Sequence, residues 1–255
     1  MIATLCARNE PLFYFGLFCF LLALLFWRLS RSSTITIMGL NAWYKPIKFA
    51  LSIGIFSWTM AWLAYYLEPS VGLGWYNGLV ILGLGFEVLY IALQASKGQL
   101  SHFNNSTSFY AAMYALMAIA ASLVTLGTAY LAWCFWIISP THLPDYYLWG
   151  IRMGMLLFVI FSFEGFVMGS RMSHTIGGPD GGAGFPFLNW SRRYGDPRIA
   201  HFVGMHALQV LPLLSFYLLK SVRLTLAFAA LYGLLAVWLL AQALNGKPII
   251  RQERR

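Results

Sequence analysis

Histidine is the residue type whose placement in this chain points most directly to chemistry. The sequence has five, and neutral imidazole is the commonest biological metal ligand as well as an axial ligand for haem. His102 lies in Ser-His-Phe-Asn, His174 in Ser-His-Thr, and His201 and His206 in HFVGMH, while His142 stands apart. His201 and His206 are five residues apart, about 140° around a helix, so one ion cannot take both without distortion. A haem b held by one histidine from each of two helices suits the spacing better, with His206 facing His102 or His174. A mononuclear transition metal would draw on His102, His174, His201 and His206 together. His206 is the ligand expected most strongly, because it lies roughly 7 Å of helical rise beyond His201, at a depth where an unpaired polar ring is costly. The plain alternative for each ring is an interfacial histidine bonded to a headgroup or a helix end.

Two carboxylates stand inside apolar runs, Glu87 in GLGFEVLY and Glu164 in FSFEGF. Ionisable residues at such positions are expensive and are functional candidates by default. Both are expected nearer the bilayer middle than the histidines, where they suit a proton relay. Their structural reading is a protonated carboxyl bonded across helices to groups such as Gln94, Gln209, Ser52 or Thr59. Asp180, in GGPDGG, is a candidate ligand or acid/base group, with turn formation as the competing role. Lys45 and Lys48, in WYKPIKFALS, could hold haem propionates or a lipid phosphate, and anchoring by the positive-inside rule is the simpler use. Asp196-Pro197 reads as an N-cap followed by a first-turn proline, and Pro212 should kink the helix that carries His206.

The elements that must position these residues follow from composition. The chain has 255 residues, 60% of them hydrophobic and 10% charged, with a mean hydropathy of +0.68. Soluble chains run at about 45–50% apolar and about 25% charged, so this one has too few polar groups for a water-facing surface. It reads as an all-α, polytopic integral membrane protein. Seven apolar runs, 11–27, 47–67, 75–95, 109–138, 147–170, 200–219 and 224–244, are each close to the roughly 20 residues that a crossing needs. They predict one seven-helix transmembrane bundle over 1–255. The formal charge of +9 reads as orientation and contact with membrane lipids. Nucleic acid is not an expected partner, because no basic run is interleaved with aromatics. Cys6, Cys19 and Cys134 have neither metal-finger nor redox spacing.

Lysine and arginine set the orientation. The side reached after the first run collects 13 of the 17, from Arg28 and Arg31 through to Arg251, Arg254 and Arg255; Arg8, Arg152, Lys220 and Arg223 fall on the other. The N-terminus is therefore expected outside and the C-terminus inside a cytoplasmic (inner) or equivalent cell membrane. His102, His174, His201 and His206 then all face the cytoplasm. The one long connection, 171–199, is rich in Gly and Pro yet carries Phe185, Phe187, Leu188 and Trp190. Loops of this length tend to be functional or disordered, and these apolar anchors predict one folded over the cytoplasmic mouth of the bundle.

Some classes are excluded. No lysine falls in 224–244, so a retinal Schiff base is absent from the last run. Ser170 and His174 fit the SxxxH of seven-span zinc hydrolases, but the accompanying HxxxH of the last span is missing. GGPDGGAG lacks the GK[ST] of a phosphate loop. The halves share no motif that would indicate an inverted-repeat transporter. The leading reading is a membrane oxidoreductase with histidine-held haem b or transition metal near the cytoplasmic face, working with a quinone, another lipid-soluble substrate or another membrane subunit. The alternatives are a metal-dependent lipid-headgroup hydrolase on His174, Asp180, His201 and His206, and a proton-coupled transporter or channel using Glu87 and Glu164.

Overall fold

The computed structural model describes residues 2–68, 70–182 and 184–250. Arg251, Arg254 and Arg255, counted above for orientation, lie outside the described residues. Among the described residues the chain forms eight α-helices: α1 (Ile2–Arg8), α2 (Glu10–Ser32), α3 (Tyr44–Ala64), α4 (Gly74–Ser96), α5 (Ser108–Ile137), α6 (Asp145–Arg171), α7 (Pro197–Leu214) and α8 (Val222–Leu244). All but α1 are long and apolar enough to cross a bilayer, so the all-α membrane architecture stands as expected. Strand is confined to a two-residue antiparallel hairpin, β1 (Thr36–Ile37) with β2 (Leu40–Asn41). Neither that hairpin nor α1 was marked by hydropathy.

Helix starts follow capping chemistry. Asn9 caps α2 by accepting the Leu12 N–H, with Pro11 in the first turn. Asp196 caps α7 by accepting the Arg198 N–H, with Pro197 next, as the Asp-Pro pair predicted. Pro212 lies inside α7, and the chain continues past it as a π-helical turn, Ser215–Leu219, ending in a left-handed Lys220 at φ 46°. A proline removes one rung of the helical ladder, and the widened turn begins at Ser215, three residues further on.

The chain divides into two compact units, Met1–Gly127 and Thr128–Arg255, with α5 passing from the first to the second. In the first, α2 runs along α3 and α4 packs on the pair. Trp58 donates its indole N–H to the Phe13 carbonyl at 3.0 Å and stacks on Phe13, and its ring fills the space left by Gly16. In the second, α6 runs along α7 and α8 packs on both. A close approach of backbones makes that pair: Gly150 lies against Ser215, Gly204 lies under the Phe161 ring, and a Cβ on Gly154 would stand 2.8 Å from the Ala207 carbonyl oxygen. The order of helix, tightly packed partner and third helix thus occurs once in each unit.

Candidate functional site

In the second unit, Glu164 and His201 meet where α6 and α7 run side by side. Glu164 is 7% exposed, and its Oε2 lies 3.3 Å from His201 Nδ1. That is ion-pair distance, yet neither Glu164 oxygen nor His201 Nδ1 makes a hydrogen bond, so the two groups are close but misaligned. The His201 side chain is 30% exposed against 4% for Glu164, so the imidazole is the more exposed member of the pair. Gly165 provides the room: a Cβ there would come within 3.2 Å of His201 Cε1.

His206 has partners that account for it. Its Nδ1 lies 3.1 Å from Gln209 Oε1, and its ring meets Phe202 edge-on at 4.3 Å between centroids. Spacing of three residues on one helix brings the Gln209 amide to the ring. One of the two ring nitrogens of His206 is therefore paired.

His174 and Asp180 belong to the long connection. Asp180 accepts from the backbone N–H groups of His174 and Thr175 and from the hydroxyls of Ser173 and Thr175, and its Oδ2 lies 2.8 Å from His174 Nδ1. Burial alone would raise its pKa, but these hydrogen bonds outweigh it and hold the carboxyl well below the usual carboxylate range. Antiparallel bridges join Ile176 to Gly195 and Gly184 to Ser191. Trp190 packs on the core around Phe161, Ile199 and Leu239, and Gly177 meets Gly246 just beyond α8. Within its own unit the loop is laid on the ends of α7 and α8, with Asp180 as its internal hub.

The first unit holds the remaining candidates. Glu87 is 6% exposed on α4, on the face that also buries Tyr90, Ile91 and Gln94. Lys45, in the first turn of α3, acts on it electrostatically. Gln94 donates to the Tyr90 hydroxyl at 2.8 Å, while its Oε1, fully buried, has no partner. His102 lies between the rings of Phe49 and Tyr114 at 5.6 and 6.1 Å, with the Ser101 hydroxyl 3.1 Å from its Nδ1. Lys48 is half-buried one turn into α3.

His102, Lys45, Lys48 and Glu87 thus belong to one unit, and Glu164, His174, Asp180, His201 and His206 to the other. Among the described residues no three of His, Cys, Asp or Glu gather as a metal site would require. Arg152 was missed as a site residue and counted only for orientation. Its guanidinium is buried in α6, donates to the Phe135 carbonyl at 3.1 and 2.8 Å and to the Ser139 hydroxyl at 2.6 Å, and lies over Trp136 and Trp149. It thereby caps the carboxyl end of α5, where orphan carbonyls favour a cation. The rule that flagged Glu87 and Glu164 would have found it, since Arg152 also sits inside an apolar run. The chain matches no protein-family model, no curated protein and no solved structure in the comparisons made.

Proposed function

We propose that this protein is a proton-coupled membrane transporter or channel in which Glu164 and His201 form the proton-exchanging pair. The observation that carries this reading is the buried Glu164 carboxyl, unbonded at both oxygens and 3.3 Å from the more exposed His201. A carboxyl retained there for structure alone would be expected to hold hydrogen bonds. Proton transfer needs a heavy-atom separation of about 2.6–3.2 Å, which a small rotation of the imidazole reaches from this geometry. His201 would take a proton from the aqueous end, and Glu164 would carry it toward the interior. Glu87 with Lys45 is a second buried carboxyl in the other unit and the next candidate for the same work.

The haem or metal oxidoreductase and the headgroup hydrolase rank below this reading. The former would use His206, His102 or His174 as ligands. A bond at Nδ1, which each of them has, is common in ligating histidines, and the reading ranks lower because no three metal-ligating residues gather among the described residues. The latter needs Asp180 at a bound water, and its oxygens are taken up by the loop's own donors. The test is proton flux in proteoliposomes under an imposed potential, read by an internal pH dye. Wild type should conduct protons above empty vesicles, and Glu164→Gln should lose roughly a hundredfold or more, the scale of a missing proton-transfer group. Wild-type flux no greater than that of empty vesicles contradicts the proposal.

A further inference from the structure

The tip of the long connection carries cations that no carboxylate answers among the described residues. Residues 184–191 close into a hairpin: inside the Gly184–Ser191 bridge, the Phe185 N–H donates to the Trp190 carbonyl at 2.9 Å and the Asn189 N–H to the Phe185 carbonyl at 2.8 Å. Arg198, in the first turn of α7, ties this hairpin to its helix. Its guanidinium donates to the Asn189 carbonyl and is ion-paired with Asp196. The two arginines that follow the hairpin are placed differently. Arg192 is half-buried with its guanidinium 5.6 Å from the centre of the Phe185 ring, and Arg193 is exposed. Neither forms an ion pair among the described residues. The carboxylates of the connection are already engaged: Asp180 takes donors from Ser173, His174 and Thr175, and the Asp196 side chain, 0% exposed, takes Arg198 and the Ser191 N–H.

The same hairpin presents apolar surface beside these charges. Phe187, at its tip, is 38% exposed. Trp190 meets Phe202 edge-on at 5.4 Å between centroids. Phe202 is itself 44% exposed and lies more than a turn inside α7, a helix long and apolar enough to cross a bilayer. Contact with Phe202 therefore sets the hairpin against the flank of a span near its end, at the level where hydrocarbon gives way to headgroups. A soluble acidic partner would match the arginines and leave the apolar tip in water. A phospholipid offers both an acyl boundary and a phosphate, and phosphate is the anion whose geometry a guanidinium fits. We infer that the 184–193 segment binds the headgroup of an anionic phospholipid, with Arg192 and Arg193 as its cations. This site shares no residue with the Glu164–His201 pair.

The test is native mass spectrometry of the full chain in detergent, titrated with phosphatidylglycerol or with phosphatidylcholine of the same acyl chains. Wild type should bind phosphatidylglycerol more tightly, and inorganic phosphate should not displace it. Arg192→Ala/Arg193→Ala should weaken phosphatidylglycerol binding by roughly thirtyfold, the effect of two basic side chains near anionic lipid, and leave phosphatidylcholine binding unchanged. Arg192→Lys/Arg193→Lys, which keeps both charges, should retain most of the affinity and so separates loss of charge from loss of fold. Arg28→Ala/Arg31→Ala removes the same charge from the end of α2 and should leave the preference intact. Equal binding of the two lipids by wild type, displacement by inorganic phosphate, or a loss in the lysine or α2 variant as large as in the alanine variant overturns the inference.

Discussion

Asp180 and Glu164 are carboxylates in opposite circumstances, and their consequences differ accordingly. Asp180 is surrounded by donors from Ser173, His174 and Thr175, so its work is to hold the loop. Removing it with Asp180→Ala should cost that loop about 2–3 kcal/mol, in the range of hydrogen bonds to a charged acceptor. Trypsin acting on the detergent-solubilised protein should then cut at Arg192 and Arg193 far faster than in wild type; equal rates would mean that the hub holds nothing. The pH dependence has a definite sign. The folded pKa is depressed below an unfolded value of about 3.9, so the stabilisation is fully present above the unfolded value and is lost as pH falls through the lowered folded one. Protease resistance should therefore persist through mildly acidic pH. Glu164 has the reverse environment, and the sequence marked it as a candidate because an ionisable group in FSFEGF is expensive in a bilayer. The sequence could not show its partner, because His201 lies 37 positions on and nothing in local spacing marks the meeting. His206, favoured for its depth, has a partner in Gln209 three residues away, a pairing that the spacing did allow.

At the scale of elements, the α6–α7 seam depends on residues without side chains. A methyl group on Gly204 would collide with Phe161, and one on Gly154 would approach the Ala207 carbonyl oxygen at 2.8 Å. Gly204→Ala and Gly154→Ala should each destabilise by about 1–3 kcal/mol, the usual cost of overpacking. Gly78→Ala in α4, where a methyl group meets nothing within 4 Å, is the control and should leave the thermal unfolding temperature unchanged or slightly raised. Equal effects at all three positions would deny that the seam is closely packed. The seven helices were legible because hydropathy alone marks a span. The faces on which they meet were not, since lipid-facing and partner-facing positions are both apolar and close packing in membranes comes from small residues rather than from an apolar stripe. The hairpin at 36–41 and α1 were missed because neither produces an apolar run of spanning length.

For the whole molecule, the expected topology rests on the 13-to-4 partition of lysine and arginine. Reporter fusions should place the N-terminus outside and the C-terminus inside. An inside N-terminus would reverse the side of the membrane toward which His201 lies, and with it the direction of proton entry under the proposed function. The membrane architecture was legible from composition, whereas the division into two units was not, because that depends on contacts between faces that the sequence leaves alike. The central claim is that Glu164 exchanges its proton with water through His201, and infrared spectroscopy reads that step directly. The Glu164 carbonyl band is assigned by its loss in Glu164→Gln, and its shift is followed after transfer to heavy water. In wild type the band should shift promptly, and in His201→Ala the exchange should slow by roughly a hundredfold, the scale of one proton-transfer group. Exchange at the wild-type rate in His201→Ala, or a Glu164 band that never exchanges, would contradict the account.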